Sequence, residues 1–186
     1  MNTGIISSRY STALLRFSDE NGDTEKVLSQ AKTLETALST VPTLSRYLVD
    51  PSGVAPSQKM VLLRAAVGDE PLATSLESFL SLVIHNGREA ELRFMLHSFI
   101  SRYYKSRNIR FASLTTASDA PEWLENKIRD AMERIYGGTF IVEETVDPSI
   151  IGGLVMTVDD YKLDASVANR LKFMRKEFND KNNRIV

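Results

Sequence analysis

Residues 86–116 read NGREAELRFMLHSFISRYYKSRNIRFASLTT. Two patterns meet in this stretch. Leu92, Leu96, Phe99 and Tyr103 recur every three or four positions, the period of one helix face. After Asn108 the period is gone, and IRFASLTT at 109–116 is a short run of residues that suit a strand. Asn86-Gly87 is a break ahead of the helix. The class of structure therefore changes near 105–109, and the chain divides into residues 1–107 and 108–186.

Upstream, every segment reads as helix. Ile6, Tyr10, Ala13, Leu14 and Phe17 form one stripe, and Gly22 stops it. Asp23 is placed to cap the next helix, which carries Val27, Ala31, Leu34, Leu38 and Val41 and ends at Pro42. A short segment with Leu44, Leu48 and Val49 runs into a turn, DPSG, at 50–53. Pro56 starts a helix expected to bury Leu62, Ala65 and Ala66, and Gly68 ends it. Pro71 opens another, with Leu72, Leu76, Phe79, Leu80 and Val83 in register. Residues 1–107 thus read as a compact bundle of about six helices.

Downstream, Asp119 and Pro121 announce a helix with Leu124, Ile128, Ala131 and Ile135 on one face, stopped by Gly137-Gly138. TFIVEETV at 139–146 is a second strand, and DPS at 147–149 a turn. Leu154, Met156 and Val158 alternate as in a half-buried strand; Asp159-Asp160 suits a hairpin tip, and Tyr161 and Leu163 are expected to point the return strand inward. A last helix spaces Val167, Leu171, Met174 and Phe178. The order is β-α-β-β-β-α. The fold class is mainly α, with a helical bundle followed by a small α+β domain.

Composition excludes much chemistry. With 186 residues, 42% hydrophobic and 25% charged, the chain is an ordinary globular protein. It has no cysteine, which removes disulfides, thiolate nucleophiles and cysteine-ligated zinc or iron–sulfur clusters. The net charge of −1 lacks the basic excess of a nucleic-acid binder. Residues 1–20 are amphipathic and end in acids, without a targeting core, and no apolar run is long enough to span a bilayer. Charge is uneven near the end. Residues 143–164 hold six acids against Lys162, and 170–184 hold six bases against Glu177 and Asp180. The basic run suits a solvated helix end or a surface for an acidic partner helix.

No catalytic or ligand set emerges. His85 and His97, twelve residues apart, have no metal-motif companions. Gly152-Gly153 precedes a strand, whereas a dinucleotide fingerprint follows one, and Gly-Lys-Ser/Thr is absent. The glycine pairs read instead as backbone devices for positive φ or close approach. Asp147, Asp159, Asp160 and Asp164 lack a calcium-loop frame and suit turns and caps. Arg102, Lys105, Arg107 and Arg110 lie near Tyr103, Tyr104 and Phe111, but a solvated junction or a protein-binding patch explains them better than single-stranded nucleic acid. What is left is an adaptor whose helices offer a groove to an amphipathic partner helix.

Three segments then point to a family. DPSIIGGLVMTVDDYKLDASVANRL at 147–171 resembles the C-terminal signature of the delta subunit of the bacterial F-type ATP synthase, similar to the mitochondrial oligomycin-sensitivity-conferring protein. It keeps Asp147-Pro148-Ser149, an aliphatic pair, Gly152-Gly153, and Asp164-x-Ser166 leading to Arg170-Leu171. The stretch 86–108 resembles the family's Asn-Gly-Arg opening and aliphatic helix. RYSTALLRFS at 9–18 resembles its Tyr-Ala-x-Ala-Leu start, with Ser11 in place of the first alanine.

The resemblance implies a six-helix N-terminal domain on the catalytic head and a C-terminal domain on the peripheral stalk. The N-terminal helix of an alpha subunit would lie against the first and fifth helices, here 4–18 and 71–84, with Tyr10, Ala13, Leu14, Leu76, Phe79 and Leu80 as candidate interface residues. The C-terminal ends of the b subunits would meet the second domain. Asp147, Pro148, Gly152, Gly153, Asp164, Ser166 and Arg170 would be architectural. The expected function is a non-catalytic stator linking the alpha–beta hexamer to the b stalk, so that proton-driven torque makes ATP. No cofactor, metal or nucleic acid is expected, and no direct membrane insertion; the place is peripheral, on the cytoplasmic face of a bacterial inner membrane. The competing reading is a stand-alone helical interaction scaffold or regulator, which does not account for the long signature.

Overall fold

The structure is a computed structural model that describes residues 3–49, 55–68, 70–158 and 161–182. It is mainly helical with a small four-stranded sheet. The chain divides into two compact units, residues 1–106 and 107–186. The turn expected at 50–53, the hairpin tip Asp159-Asp160, the tail from 183 and the Phe178 side chain lie outside the described residues.

The first unit contains helices α1 (Thr3–Asn21), α2 (Thr24–Thr40), α3 (Pro42–Val49), α4 (Pro56–Val67), α5 (Thr74–His85) and α6 (Leu92–Ser106), with a single 3-10 turn at Glu89–Glu91 before α6. They share one core, into which α2 sends Val27, Ala31, Leu34 and Leu38, α5 sends Leu76, Phe79, Leu80 and Val83, and α6 sends Leu92, Met95, Leu96 and Phe99. Except for Met95 these are stripe positions that the spacing predicts; of the others expected, Val41 is exposed just past α2 and Leu72 precedes α5.

Three local expectations need correction. Asp23 caps α5 rather than α2: its carboxylate accepts hydrogen bonds from Ser75 N–H at 3.0 Å and Ser75 Oγ at 2.7 Å, and makes no side-chain cap on its own helix. Pro71 does not open α5. Residues 71–73 precede the helix because the Gln30 side-chain amide holds them, donating to Pro71 C=O at 3.0 Å and accepting from Ala73 N–H at 2.8 Å. Ala73 is the N-cap, with extended φ and ψ of −61° and 139°. On α4, Leu63 is the buried residue and Ala65 is exposed; Lys59 is also buried, because Glu89 neutralises it at 2.7 Å.

The face of α1 is the larger surprise. Its buried positions are Ser7, Ser11, Leu14 and Ser18, a helical spacing of four, three and four. This face packs on α6. Small side chains let two helices approach closely, and a serine hydroxyl can be satisfied within its own turn. Ser11 Oγ reaches Ser8 C=O at 3.0 Å and Ser98 Oγ at 2.9 Å, and Ser18 Oγ reaches Leu15 C=O at 3.0 Å. Arg102 of α6 completes the seam by donating to Ser8 Oγ and Ser11 Oγ. Of the apolar positions of α1, Leu14 is in the core, Ile6, Tyr10 and Leu15 pack against it half-buried, and Ile5 and Ala13 stay exposed.

The second unit contains β1 (Ile109–Thr116), α7 (Glu122–Tyr136), β2 (Thr139–Val146), β3 (Leu154–Val158), β4 (Tyr161–Asp164) and α8 (Val167–Asn182). The sheet order is β2-β1-β3-β4, with β1 parallel to β2 and the remaining pairs antiparallel. One face meets α7 in a small core of Ala112, Met132, Phe140 and Val158. The α7 stripe is Leu124, Ile128 and Met132, not the expected set; Ala131 and Ile135 are exposed, since a short helix on a twisted sheet is covered along one row only. Tyr161 and Leu163 are exposed as well. Their register opposite Val158 and Met156 puts them on the core face, as the inward reading has it, but β4 is an edge strand and neither is covered there.

Candidate functional site

In the first unit side chains of α1 and α5 line a groove of about 480 Å3. Ile5, Ile6, Tyr10 and Ala13 come from α1, Phe79 and Leu82 from α5, and Arg9 and Arg88 stand at the lining. Ile5 is 62% exposed and Leu82 50% exposed, so the groove presents apolar side chains that its own chain leaves uncovered. Covering each is worth about 1–2 kcal/mol.

Tyr10 is the best-held residue in the groove. Its ring meets Phe79 edge-on, with centroids 6.2 Å apart and planes at 74°. Its hydroxyl accepts a hydrogen bond from Asn86 Nδ2 at 3.0 Å. The Arg88 guanidinium lies over its ring, 5.4 Å from the centroid. The Asn86-Gly87-Arg88 turn is therefore wrapped around Tyr10, and Gly87 permits the wrap with φ of +61°. This use of the Asn-Gly-Arg motif was not foreseen in the sequence, where the motif marks only a helix break. The pairing links positions far apart in the chain, and no local period reports it.

Of the six expected interface residues, Tyr10, Ala13 and Phe79 line the groove. Leu14, Leu76 and Leu80 are in the core and present no surface. Apolar periodicity marks the centre of a stripe, which is the part buried by the chain itself. The flanks of the stripes stay accessible, and beside Tyr10, Ala13 and Phe79 the groove is lined by Ile5, Ile6, Arg9, Leu82 and Arg88.

In the second unit the signature residues build one corner. Asp147 Oδ1 accepts from Ser149 N–H at 2.9 Å and starts the 3-10 turn Pro148–Ile150. Hydrogen bonds from Ser149, side chain and backbone, hold the Asp147 carboxyl below its ordinary range. Asp164 Oδ1 accepts from Ser166 Oγ at 2.6 Å and Ser166 N–H at 3.0 Å, which lowers its pKa in the same way, with a smaller contribution from Lys162. Ser166 Oγ then accepts from Asn169 N–H at 3.1 Å and caps α8. Gly152 C=O receives Val167 N–H at 2.9 Å. Gly153, at φ +75°, lies so close to Ala165 that a Cβ there would stand 2.3 Å from its carbonyl oxygen. Arg170 is exposed on α8. A further carboxylate ties the strands: Glu144 accepts from Thr116 Oγ1 at 2.8 Å and Ala120 N–H at 2.7 Å, and these bonds lower its pKa.

This corner launches α8, whose expected stripe is left open. Leu171 is 48% exposed, Met174 46% and Phe173 67%. Exposed on the same helix are Arg170, Lys172, Arg175 and Lys176, so it offers an apolar strip flanked by cations. Among the described residues no cluster of three or more His, Asp or Glu side chains could hold a metal, and no helix is long and apolar enough to cross a membrane.

The family model for the ATP synthase delta (OSCP) subunit matches residues 6–178. The ATP synthase subunit delta of Phocaeicola vulgatus is 36% identical over 187 residues, covering all of both chains. That of Bacteroides fragilis is 35% identical over 186 residues, again covering all of both. Among solved structures, a chain of the Toxoplasma gondii mitochondrial ATP synthase hexamer shares the fold, with a TM-score of 0.60 at 22% identity, over 92% of this chain and 96% of that one. A chain matched across its length in this way, with its signature residues spent on turns and caps and its apolar faces left open, belongs to the ATP synthase delta (OSCP) subunit family.

Proposed function

We propose that the chain is the stator link of an F-type ATP synthase, with the α1–α5 groove taking the N-terminal helix of an alpha subunit and the second unit taking the C-terminal ends of the b subunits. Its work is mechanical: it holds the catalytic head still while the rotor turns, and makes or breaks no covalent bond. The six N-terminal helices form the bundle that sits on the head, peripheral to the cytoplasmic face of the membrane. Family membership supports the role.

The observation that carries the head contact is the pair of uncovered apolar side chains, Ile5 and Leu82, lining one groove with the Tyr10–Phe79 ring pair. A helix laid there would insert its stripe as a groove-bound helix does. The open strip on α8 supports the stalk contact by the same reasoning. A stator contact must resist torque without dissociating, which favours buried apolar area in a groove over a lone ion pair.

The head contact is tested by titrating the full chain with a peptide of the first twenty or so residues of the cognate alpha subunit in a calorimeter. Saturable one-to-one binding with a negative heat-capacity change is expected, the mark of apolar burial. Substituting Leu82→Asp should weaken it at least about tenfold while leaving the fold intact, because Leu82 is half exposed. Absence of binding at about 100 μM peptide would refute the head contact.

A further inference from the structure

We infer that the groove reads charge as well as shape: its occupant is a helix with an acidic side chain beside its apolar stripe, received by Arg9 and Arg88. The inference rests on the groove being a helix site and adds what the helix must carry. Both charged residues of the lining are arginines, and no carboxylate lines it. Neither arginine has an ion-pair partner among the described residues. Arg9 is exposed on α1, whereas Arg88 is half-buried and held over the Tyr10 ring. A guanidinium held over an aromatic ring, with no ion-pair partner, retains N–H donors that can fork onto a carboxylate.

The Asn86-Gly87-Arg88 turn gains a role from this. Asn86 fixes the Tyr10 hydroxyl, and Gly87 lets the backbone turn back towards α1. Arg88 is thereby set on top of the aromatic anchor that an incoming apolar stripe must touch. An acid placed one helical turn from an apolar side chain of the occupant would meet an arginine when that side chain meets Tyr10 and Phe79. A basic flank in the same place would face two unneutralised cations. The pair of arginines therefore selects the register and the partner, and Tyr10, Phe79 and Leu82 supply the apolar contact.

Two peptides and three proteins test this. The peptides are the cognate alpha-subunit segment and the same segment with every Asp and Glu changed to Asn and Gln. The proteins are the full chain, its Arg9→Gln/Arg88→Gln variant and its Arg88→Lys variant. The native peptide should bind the parent about tenfold more tightly than the neutral one at about 50 mM salt, with the difference shrinking several-fold at about 500 mM. The double variant should bind both peptides alike, near the neutral peptide's affinity for the parent, and Arg88→Lys should keep part of the preference because the charge remains. Equal binding of the two peptides to the parent would overturn the inference and leave the groove as a helix site. Binding by neither peptide would overturn both. The peptide comparison needs no altered protein, so it decides the matter even if a variant fails to fold.

Discussion

Gly153, like Gly138, is a glycine of the second unit whose backbone leaves no room for a side chain. It combines a left-handed φ of +75° with an approach that puts a virtual Cβ at 2.3 Å from the Ala165 oxygen. Either condition alone disfavours a side chain; together they require the start of α8 to move away from β3. Gly153→Ala should therefore cost about 2–4 kcal/mol in urea denaturation followed by probes in residues 107–186. A cost below about 0.5 kcal/mol would mean that the corner yields easily and that the signature glycine is not architectural. The sequence already suggests a backbone role for this glycine, since the pair precedes a strand where no phosphate site fits. It does not show the partner, because Ala165 comes from the far side of a hairpin. Asp23 and Gln30 make the same point in the first unit. Both are polar residues whose hydrogen bonds close on α5 and its approach, more than forty positions away, and local pattern is blind to such bonds.

Elements are more legible than their contacts. The strands at 109–116, 139–146 and 154–158 and the helices ending at Gly22, Gly68 and Gly137 follow from turn residues and period, which are local properties. What covers each face is not local. Period alone treats the stripes of α5 and α8 alike, yet α5 is buried and α8 is open. On α1 the serine row is the real seam, and Ser7, Ser11 and Ser18 could have been found by asking which residues are small at helical spacing. Ser7 remains the one buried side-chain oxygen in the described residues without a hydrogen bond. The link between α4 and the turn before α6 was equally hidden. Lys59 and Glu89 pair at 2.7 Å with both side chains 9% exposed. Removing one partner strands the other in a place with little water, so Lys59→Met or Glu89→Gln should each cost about 3 kcal/mol. Replacing both, as Lys59→Met/Glu89→Leu, removes the stranded charge and should recover most of that loss in chemical denaturation. A double variant as unstable as the sum of the singles would show that the pair acts through packing and not through charge.

At the scale of the whole molecule, the chain leaves apolar side chains uncovered on each of two units with separate cores. A link under torque is only as strong as its weaker end, and the weaker core is the second: a few apolar side chains between α7 and the sheet. Carboxylate hydrogen bonds supplement it. Glu144 ties β1 and the approach to α7 to β2, Asp147 starts the 3-10 turn, and Asp164 holds Ser166 at the cap of α8. All three have folded pKa values below their ordinary values of 4.5, 3.8 and 3.8. Their contribution is therefore complete above the unfolded pKa and is lost as pH falls through the folded one, when each acceptor takes a proton. Amide-exchange protection in residues 107–186 should accordingly decline as pH falls below about 5, at the α8 cap, the Asp147 turn and the strands that Glu144 ties. Asp147→Asn/Asp164→Asn should lower protection at pH 7 and flatten that decline, since an amide oxygen still accepts a bond but no longer titrates. An unchanged slope in the variant would assign the acid response to other groups. The test bears on function because these bonds hold the base of α8, and if α8 is the stalk-facing helix its grip should weaken over the same pH interval as the protection of its cap.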